Sequence, residues 1–102
     1  MKHTIETITA LQLLKFLSSV NRLNMLRLLL DDERTVNEIM VFLNLGKKSV
    51  TLDINRLKRA GLVNVKRRGQ VNFYYLNPDF KYIEFIKCLI DYLPCKEIKL
   101  RS

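Results

Sequence analysis

The chain has 102 residues, a formal net charge of +8, 48% hydrophobic and 27% charged side chains, three Gly and two Pro. This composition predicts one ordered globular domain over residues 1–102; it excludes a disordered chain, and the length excludes several domains. We expect a cytoplasmic protein without membrane contact, because no apolar run approaches the ~18 residues of a membrane helix, the first residues lack the order of a signal peptide, and two cysteines are too few for a secreted disulfide scaffold.

The first half of the chain predicts three helices. Apolar residues at helical spacing predict the first helix near residues 5–18 and the second near 20–31, where an acidic turn ends it. Thr35 followed by Glu38 forms a capping-box pattern, in which each side chain accepts a hydrogen bond from the other residue's backbone amide. This pattern predicts a third helix that begins there and runs to about Asn44.

A fourth helix is predicted near residues 47–60. Gly46 is an acceptable N-cap for it, and Gly61 is a natural stop just beyond its last turn. Its apolar stripe predicts that it faces inward through Val50, Ile54 and Leu57.

Two short runs rich in Val, Phe and Tyr, residues 62–66 and 71–76, predict a β-hairpin connected by residues 67–70. After it, Asn77 is positioned to cap a fifth helix with Pro78 at its first position. Pro94 should end that helix.

The predicted fifth helix is apolar over more of its circumference than one core-facing stripe requires. We therefore expect it to pack on its own domain with one side and, together with part of the first helix, on a second protomer with the other. The apolar residues are Phe80, Tyr82, Ile83, Phe85, Ile86, Leu89, Ile90, Tyr92 and Leu93.

The net charge is concentrated in the predicted fourth helix and hairpin. Residues 46–70 contain eight basic side chains against the single acid Asp53, whereas the rest of the chain has ten basic and nine acidic ones. Such a patch predicts a polyanionic partner, with nucleic acid first and an anionic membrane surface second. The alternative is a charged face that is only solvated.

The order of four helices, a basic hairpin and a closing helix predicts a mostly α fold with a β-hairpin wing, the winged helix-turn-helix of the α+β class. The fourth helix would be the recognition helix, with Thr51 and Asn55 one turn apart and directed into a major groove. Lys47 and Lys48 lie in its first turn, where the helix dipole disfavours them until an anion such as a DNA phosphate docks.

A set of residues on the recognition helix and the hairpin is predicted to contact DNA, and each residue has the alternative of being exposed without contact. Arg56 lies at the flank of the helix, so either a phosphate or a neighbouring acid is its expected partner. The hairpin cations would follow phosphates or enter the minor groove. The candidates are Lys47, Lys48, Ser49, Thr51, Leu52, Asn55, Arg56, Lys58, Arg59, Lys66, Arg67 and Arg68.

The sequence over roughly residues 11–77 resembles the ArsR/SmtB family of prokaryotic repressors. The resemblance rests on Asn21-Arg22 followed by a Leu-rich helix, on the segment Leu57 to Val63 with its Ala60-Gly61 pair, and on the wing from Arg67 to Asn77. It implies a homodimeric, cytoplasmic DNA-binding repressor whose first and last helices form the dimer interface. Such a dimer would bind double-stranded DNA at an inverted-repeat operator.

The chain departs from the family pattern at several functional positions. The family's Ser and His positions that face DNA fall on Thr51 and Asp53, and a carboxylate there would repel phosphate. The Cys-x-Cys of metal-sensing members falls on Thr35 and Asn37, and the final segment has no His, so we expect no metal site and no cofactor.

Cys88 and Cys95 are candidates for redox sensing between protomers, and the alternative is that they are buried or idle. No set of catalytic residues is evident, so an enzyme is not expected. The sequence predicts a DNA-binding transcriptional repressor. The alternative from another class is a degenerate winged helix that binds protein or RNA.

Overall fold

The computed structural model describes residues 9–93, and in that range five helices and one hairpin follow each other in the predicted order. The residues before Thr9 and after Leu93 lie outside the described residues. They include Cys95 and Pro94, which was predicted to end the fifth helix. The predicted winged helix-turn-helix order is confirmed. The elements are α1 Ala10–Leu17, α2 Val20–Asp31, α3 Val36–Leu43, α4 Lys47–Arg59, β1 Val63–Arg68, β2 Val71–Leu76 and α5 Ile83–Tyr92.

Capping residues fix the starts of α1 and α3. The predicted capping box is confirmed: the Thr35 hydroxyl accepts from the Glu38 amide at 3.1 Å, and the Glu38 carboxylate accepts from the Thr35 amide at 3.0 Å. A second capping box, between Thr9 and Gln12, precedes α1. It leaves Thr9 extended, so α1 as described begins at Ala10.

The end of α4 is confirmed at Gly61, which has a φ of +89°. Its amide donates to the Lys58 carbonyl at 3.0 Å, and the Leu62 amide donates to the Leu57 carbonyl at 3.0 Å. These two bonds form a Schellman motif, in which a left-handed residue closes the last turn of a helix and redirects the chain. The redirected chain enters β1 at Val63.

The hairpin pairs farther than the sequence predicted. Arg67 and Arg68 belong to β1, where they pair with Asn72 and Val71, and only Gly69 and Gln70 form the turn. The prediction that all of residues 67–70 connect the strands was therefore wrong. The physical reason is that Gly69, with a φ of +62°, permits a two-residue turn that does not splay the strands.

A single residue ahead of α3 adds to the free side of β2. The Arg34 amide donates to the Tyr74 carbonyl at 2.9 Å, and the Tyr74 amide donates to the Arg34 carbonyl at 2.8 Å. This bridge fixes the hairpin, residues 63–76 and hereafter the wing, against the segment between α2 and α3.

The predicted start of the fifth helix was also wrong, because α5 begins at Ile83 rather than at Pro78. Asn77 does not cap α5. Its side-chain oxygen accepts from the Asp79 amide at 3.0 Å, and its side-chain nitrogen donates to the Gly61 carbonyl at 2.9 Å. Asn77 thus closes a turn and fastens the end of the wing to the end of α4.

One hydrophobic core joins the helices and the start of the wing. The three predicted inward residues of α4, Val50, Ile54 and Leu57, are fully buried in it, as are Met25 and Leu26 of α2. Deep burial of one side of α4 orients its other side outward. Within the described range, none of the helices has both the length and the apolar character needed to cross a membrane.

Candidate nucleic-acid interface

The turn between α3 and α4 sets the direction of the recognition helix. Asn44 adopts the left-handed conformation with a φ of 56°, and the Leu45 amide donates to the Met40 carbonyl at 3.1 Å. Gly46 is extended and precedes the first turn of α4. This tight turn connects α3 to α4, and the two helices pack against each other, as in a helix-turn-helix.

Four exposed residues form a row along the outer side of α4: Lys48, Leu52, Asn55 and Arg59. Their spacing of four, three and four residues puts them on one face of an α-helix. The row has a cation at each end, with an amide and an apolar side chain between them. It offers groups that can bind phosphates at its ends and base edges or thymine methyl groups in its middle.

The other predicted contacts on α4 lie beside this row. Thr51 and Ser49 are half-buried, whereas Lys47 and Lys58 are exposed. Thr51 is one turn from Asn55, as predicted, but it is less accessible than Asn55.

The first turn of α4 carries positive charge without local compensation. It contains Lys47 and Lys48 and no acidic residue, and Gly46 provides no side-chain cap for the exposed amides. Among residues 9–93, no carboxylate forms an ion pair with either lysine. The free amides, the helix dipole and both lysines therefore favour an anion at the same place.

Asp53 does not face outward, so the DNA-facing position that the family resemblance implied for it is wrong. Its side chain is buried, with one oxygen 3.3 Å from Nη1 of Arg22 and 3.7 Å from Nη1 of Arg56. Asp53 lies three residues after Val50 and next to Ile54, so the apolar stripe already indicated its inward direction. Its main partner, Arg22, lies 31 residues earlier and has no local sequence signal.

Arg22 links three helices through one guanidinium group. Its Nε donates to the Phe16 carbonyl at 2.7 Å, and its guanidinium carbon lies 4.4 Å from the centre of the Phe16 ring. Arg56, for which a phosphate or a neighbouring acid was expected, contacts the acid Asp53 in this structure. The Arg22 and Asp53 pair therefore connects the end of α1 to the recognition helix.

The three consecutive cations of the wing point to opposite faces of β1. Lys66 Nζ lies 2.9 Å from Oε1 of Glu33, and Arg68 contacts the second oxygen of the same carboxylate. Arg67, on the other face of the strand, donates from Nε to the Gly69 carbonyl at 3.0 Å. Sequence reasoning missed Glu33, which pairs with two of the three predicted wing contacts.

The charge of Glu33 is stabilised by its two partners. The hydrogen bond from Arg68, and then the one from Lys66, holds the pKa of the Glu33 carboxyl below its usual value. Glu33 is thus an anion at neutral pH within the basic wing.

Of the positions considered for metal chemistry, Thr35 and Asn37 lie close to the first turn of α4, because they line one cleft together with Lys47. Thr35 is the N-cap of α3, and its hydroxyl is already bonded within the capping box. Residues 9–93 contain no group of three or more His, Cys, Asp or Glu side chains that could hold a metal ion. Cys88 is exposed on α5, and its proposed redox partner Cys95 lies outside the described residues.

Comparison with known proteins identifies relatives with this architecture. The transcriptional activator HlyU of Vibrio cholerae is 37% identical over 68 residues, which make up 67% of this chain and 63%, less than two thirds, of that protein. A solved structure of HlyU from the same species has a TM-score of 0.68 at 33% identity and covers 80% of this chain and 84% of its own.

Two further structures share the fold. The transcriptional repressor BigR of Xylella fastidiosa has a TM-score of 0.77 at 25% identity, covering 89% of this chain and 88% of its own. A homodimeric winged helix-turn-helix DNA-binding domain of Mycobacterium bovis has a TM-score of 0.65 at 26% identity, covering 78% of this chain and 77% of its own. Residues 19–65 match the sequence profile described as "Bacterial regulatory protein, arsR family". This chain therefore belongs to the ArsR family of bacterial regulatory proteins.

Proposed function

We propose that this protein is a dimeric, sequence-specific DNA-binding transcriptional repressor that acts in the cytoplasm and has no metal site at the family's usual positions. The observation that carries the proposal is the exposed row on α4, which begins at Lys48 in a first turn whose two lysines have no acidic partner in the described part of the chain. A protein that occupies a promoter can block transcription simply because it keeps the polymerase from binding there. Repression therefore needs no contact beyond those that hold the DNA.

The recognition helix would lie in the major groove along its exposed outer row. Asn55 has the donor and acceptor needed to bind adenine at N6 and N7, and Thr51 can contact a base edge or a thymine methyl group. Lys47 and Lys48 would bind the phosphates at the edge of the groove, together with the free amides of the first turn. Arg67 would reach the backbone from the tip of the wing.

Apolar side chains exposed on α1 and α5 support the dimer. Leu11 and Leu14 lie three residues apart on α1, and Phe85 and Tyr92 lie seven residues apart on α5, so each pair shares one helix face. The opposite face of α5 is buried in the core. A two-fold dimer through these faces would present two recognition helices to an inverted repeat with half-sites about one DNA turn apart.

We expect the wild-type chain to sediment as a dimer of twice 12.1 kDa at micromolar concentration, and Leu14→Asp to shift it toward the monomer. The reason is that a charge at Leu14, which is 55% exposed, would be buried in the proposed interface. Val41→Asp is the matched control, because Val41 is 80% exposed on α3, away from both faces. A monomeric wild-type chain at equilibrium would contradict the dimer.

We expect Asn55→Ala to cost about 1–3 kcal/mol on the preferred DNA site and little on unrelated duplex, because a base contact is lost only where its base is present. Selection from random duplex DNA identifies the site, and titrations at one fixed salt concentration give the affinities. Arg67→Ala is the control, since loss of a backbone contact weakens both DNAs by a similar factor.

Equal losses on both DNAs for Asn55→Ala would show that this residue does not read sequence. No enrichment of any duplex, together with capture of RNA or a protein, would favour an interaction module instead. A promoter reporter that is silenced by the wild-type chain distinguishes repression from activation.

A further inference from the structure

Glu33 occupies a fixed position beside the wing. It follows the end of α2, its amide donates to the Asp32 side chain at 2.8 Å, and the next residue, Arg34, is bonded to Tyr74 of β2 in both directions. The backbone at Glu33 is therefore fixed between the end of α2 and strand β2 of the wing. Its side chain is only 23% exposed.

Both oxygens of this carboxylate are engaged by cations of the wing. Lys66 Nζ lies 2.9 Å from Oε1, and Arg68 contacts Oε2. Each cation also lies over an aromatic ring of β2: Lys66 is 5.3 Å from the Tyr75 ring centre, and the guanidinium of Arg68 is 4.7 Å from that of Phe73. A single exposed ion pair contributes little to stability. Here one partly buried acid pairs with two cations, and each cation also makes a cation–π contact.

Strand alternation separates the third cation from this network. Arg67 lies between Lys66 and Arg68 in sequence and therefore on the opposite face of β1. Its side chain bonds to the Gly69 carbonyl, and no carboxylate of residues 9–93 pairs with it. The wing thus has one cation available for a phosphate and two that are already bound to an anion.

We propose that Glu33 is a positioning residue of the wing that takes the place of a backbone phosphate, holds Lys66 and Arg68 out of the DNA interface, and leaves Arg67 as the wing's phosphate contact. This inference rests on the proposed function, because it concerns which cations meet DNA. Its consequence is a limit on sequence-independent binding. Log affinity falls with log salt, and each phosphate neutralised makes this fall steeper by about 0.9, so two withheld cations make it shallower by about 1.8 per protomer.

The test is the salt dependence of binding to one duplex of fixed sequence, measured by fluorescence anisotropy. In the wild-type background, we expect Arg67→Ala to make the fall of log affinity with log salt shallower by about 0.9 per protomer. We expect Lys66→Ala to leave it nearly unchanged. Glu33→Gln should make the slope steeper. Adding Lys66→Ala to Glu33→Gln should then make it shallower by about 0.9 relative to Glu33→Gln alone. The effect of Lys66→Ala on the slope would thus depend on whether Glu33 is present. A purely structural role of Glu33 would not produce this dependence.

Asp32→Asn is the matched control for the change in net charge. Asp32 is the neighbouring acid, it is exposed, it forms no ion pair with a described residue, and Asn keeps the side-chain oxygen that accepts from the Glu33 amide. We expect its slope to equal that of the wild type. A slope that becomes as steep as that of Glu33→Gln would show that overall charge causes the effect, and it would overturn the proposal.

A readout without DNA separates the two levels of the hypothesis. Carboxyl NMR titration should show that the pKa of Glu33 is below its usual value and rises when Lys66 and Arg68 are both replaced by alanine. Equal slopes for Lys66→Ala and Arg67→Ala would overturn the role of Glu33 while leaving DNA binding intact. A chain that binds no duplex at any salt concentration would overturn the proposed function and the inference together.

Discussion

We expect Asp53→Ala to lower the free energy of unfolding by about 3 kcal/mol. Asp53 and Arg22 have side chains that are 10% and 16% exposed, and their charged atoms lie 3.3 Å apart. Removal of the carboxylate leaves the guanidinium of Arg22 in a largely buried place without its anion. Chemical denaturation followed by circular dichroism measures the loss.

The control for this prediction replaces both partners. In Arg22→Met combined with Asp53→Leu, no buried charge is left unpaired, so most of the stability should return. A double variant as unstable as Asp53→Ala would show that packing at these positions, rather than the unpaired charge, causes the loss. Because Arg22 also bonds to the Phe16 carbonyl, the double variant removes the link between α1 and α4 as well.

We expect Lys47→Ala combined with Lys48→Ala to change DNA binding and stability in opposite directions. In a dimer the variant loses four phosphate contacts, so the fall of log affinity with log salt should become shallower by about 3.6. The free protein should become more stable, by about 0.3–1 kcal/mol for each lysine, since both charges oppose the positive end of the helix dipole. Anisotropy titrations over a series of salt concentrations and denaturation of the free chain measure the two effects.

Lys58→Ala is the matched control for the effect on stability. Lys58 lies in the last turn of the same helix, where a cation interacts favourably with the dipole, so its removal should destabilise the free chain slightly. If both variants shift stability in the same direction, the dipole is not the cause. An unchanged salt slope for the double variant would remove the first turn of α4 from the DNA interface.

Local signals explain which parts of the fold were predictable. The capping box of Thr35 and Glu38 and the glycine at position 61 act over three to five residues, and the structure confirms both. Asn77 and Pro78 carried an equally good local signal for a helix start. That prediction failed because the Asn77 side chain instead donates to Gly61, a partner 16 residues away.

The same distinction holds for the candidate site. The inward side of α4 followed from the spacing of Val50, Ile54 and Leu57, so the outer row was predictable. The pairing of Arg68 with Glu33 joins residues 35 positions apart and depends on how the wing packs against the segment before α3. The roles of the outer residues in DNA binding stay predictions.

β1 has a strand partner on one side only among the described residues, because the bridge from Arg34 adds to β2 instead. An open strand edge exposes backbone donors and acceptors that a second copy of the chain can pair with, which is a route to aggregation. The outer part of this strand bears Lys66, Arg67 and Arg68 in succession, so an approaching copy meets a net positive charge even when Glu33 is counted. We therefore expect the cations of the wing to oppose edge-to-edge association, and a variant that neutralises them to be less soluble.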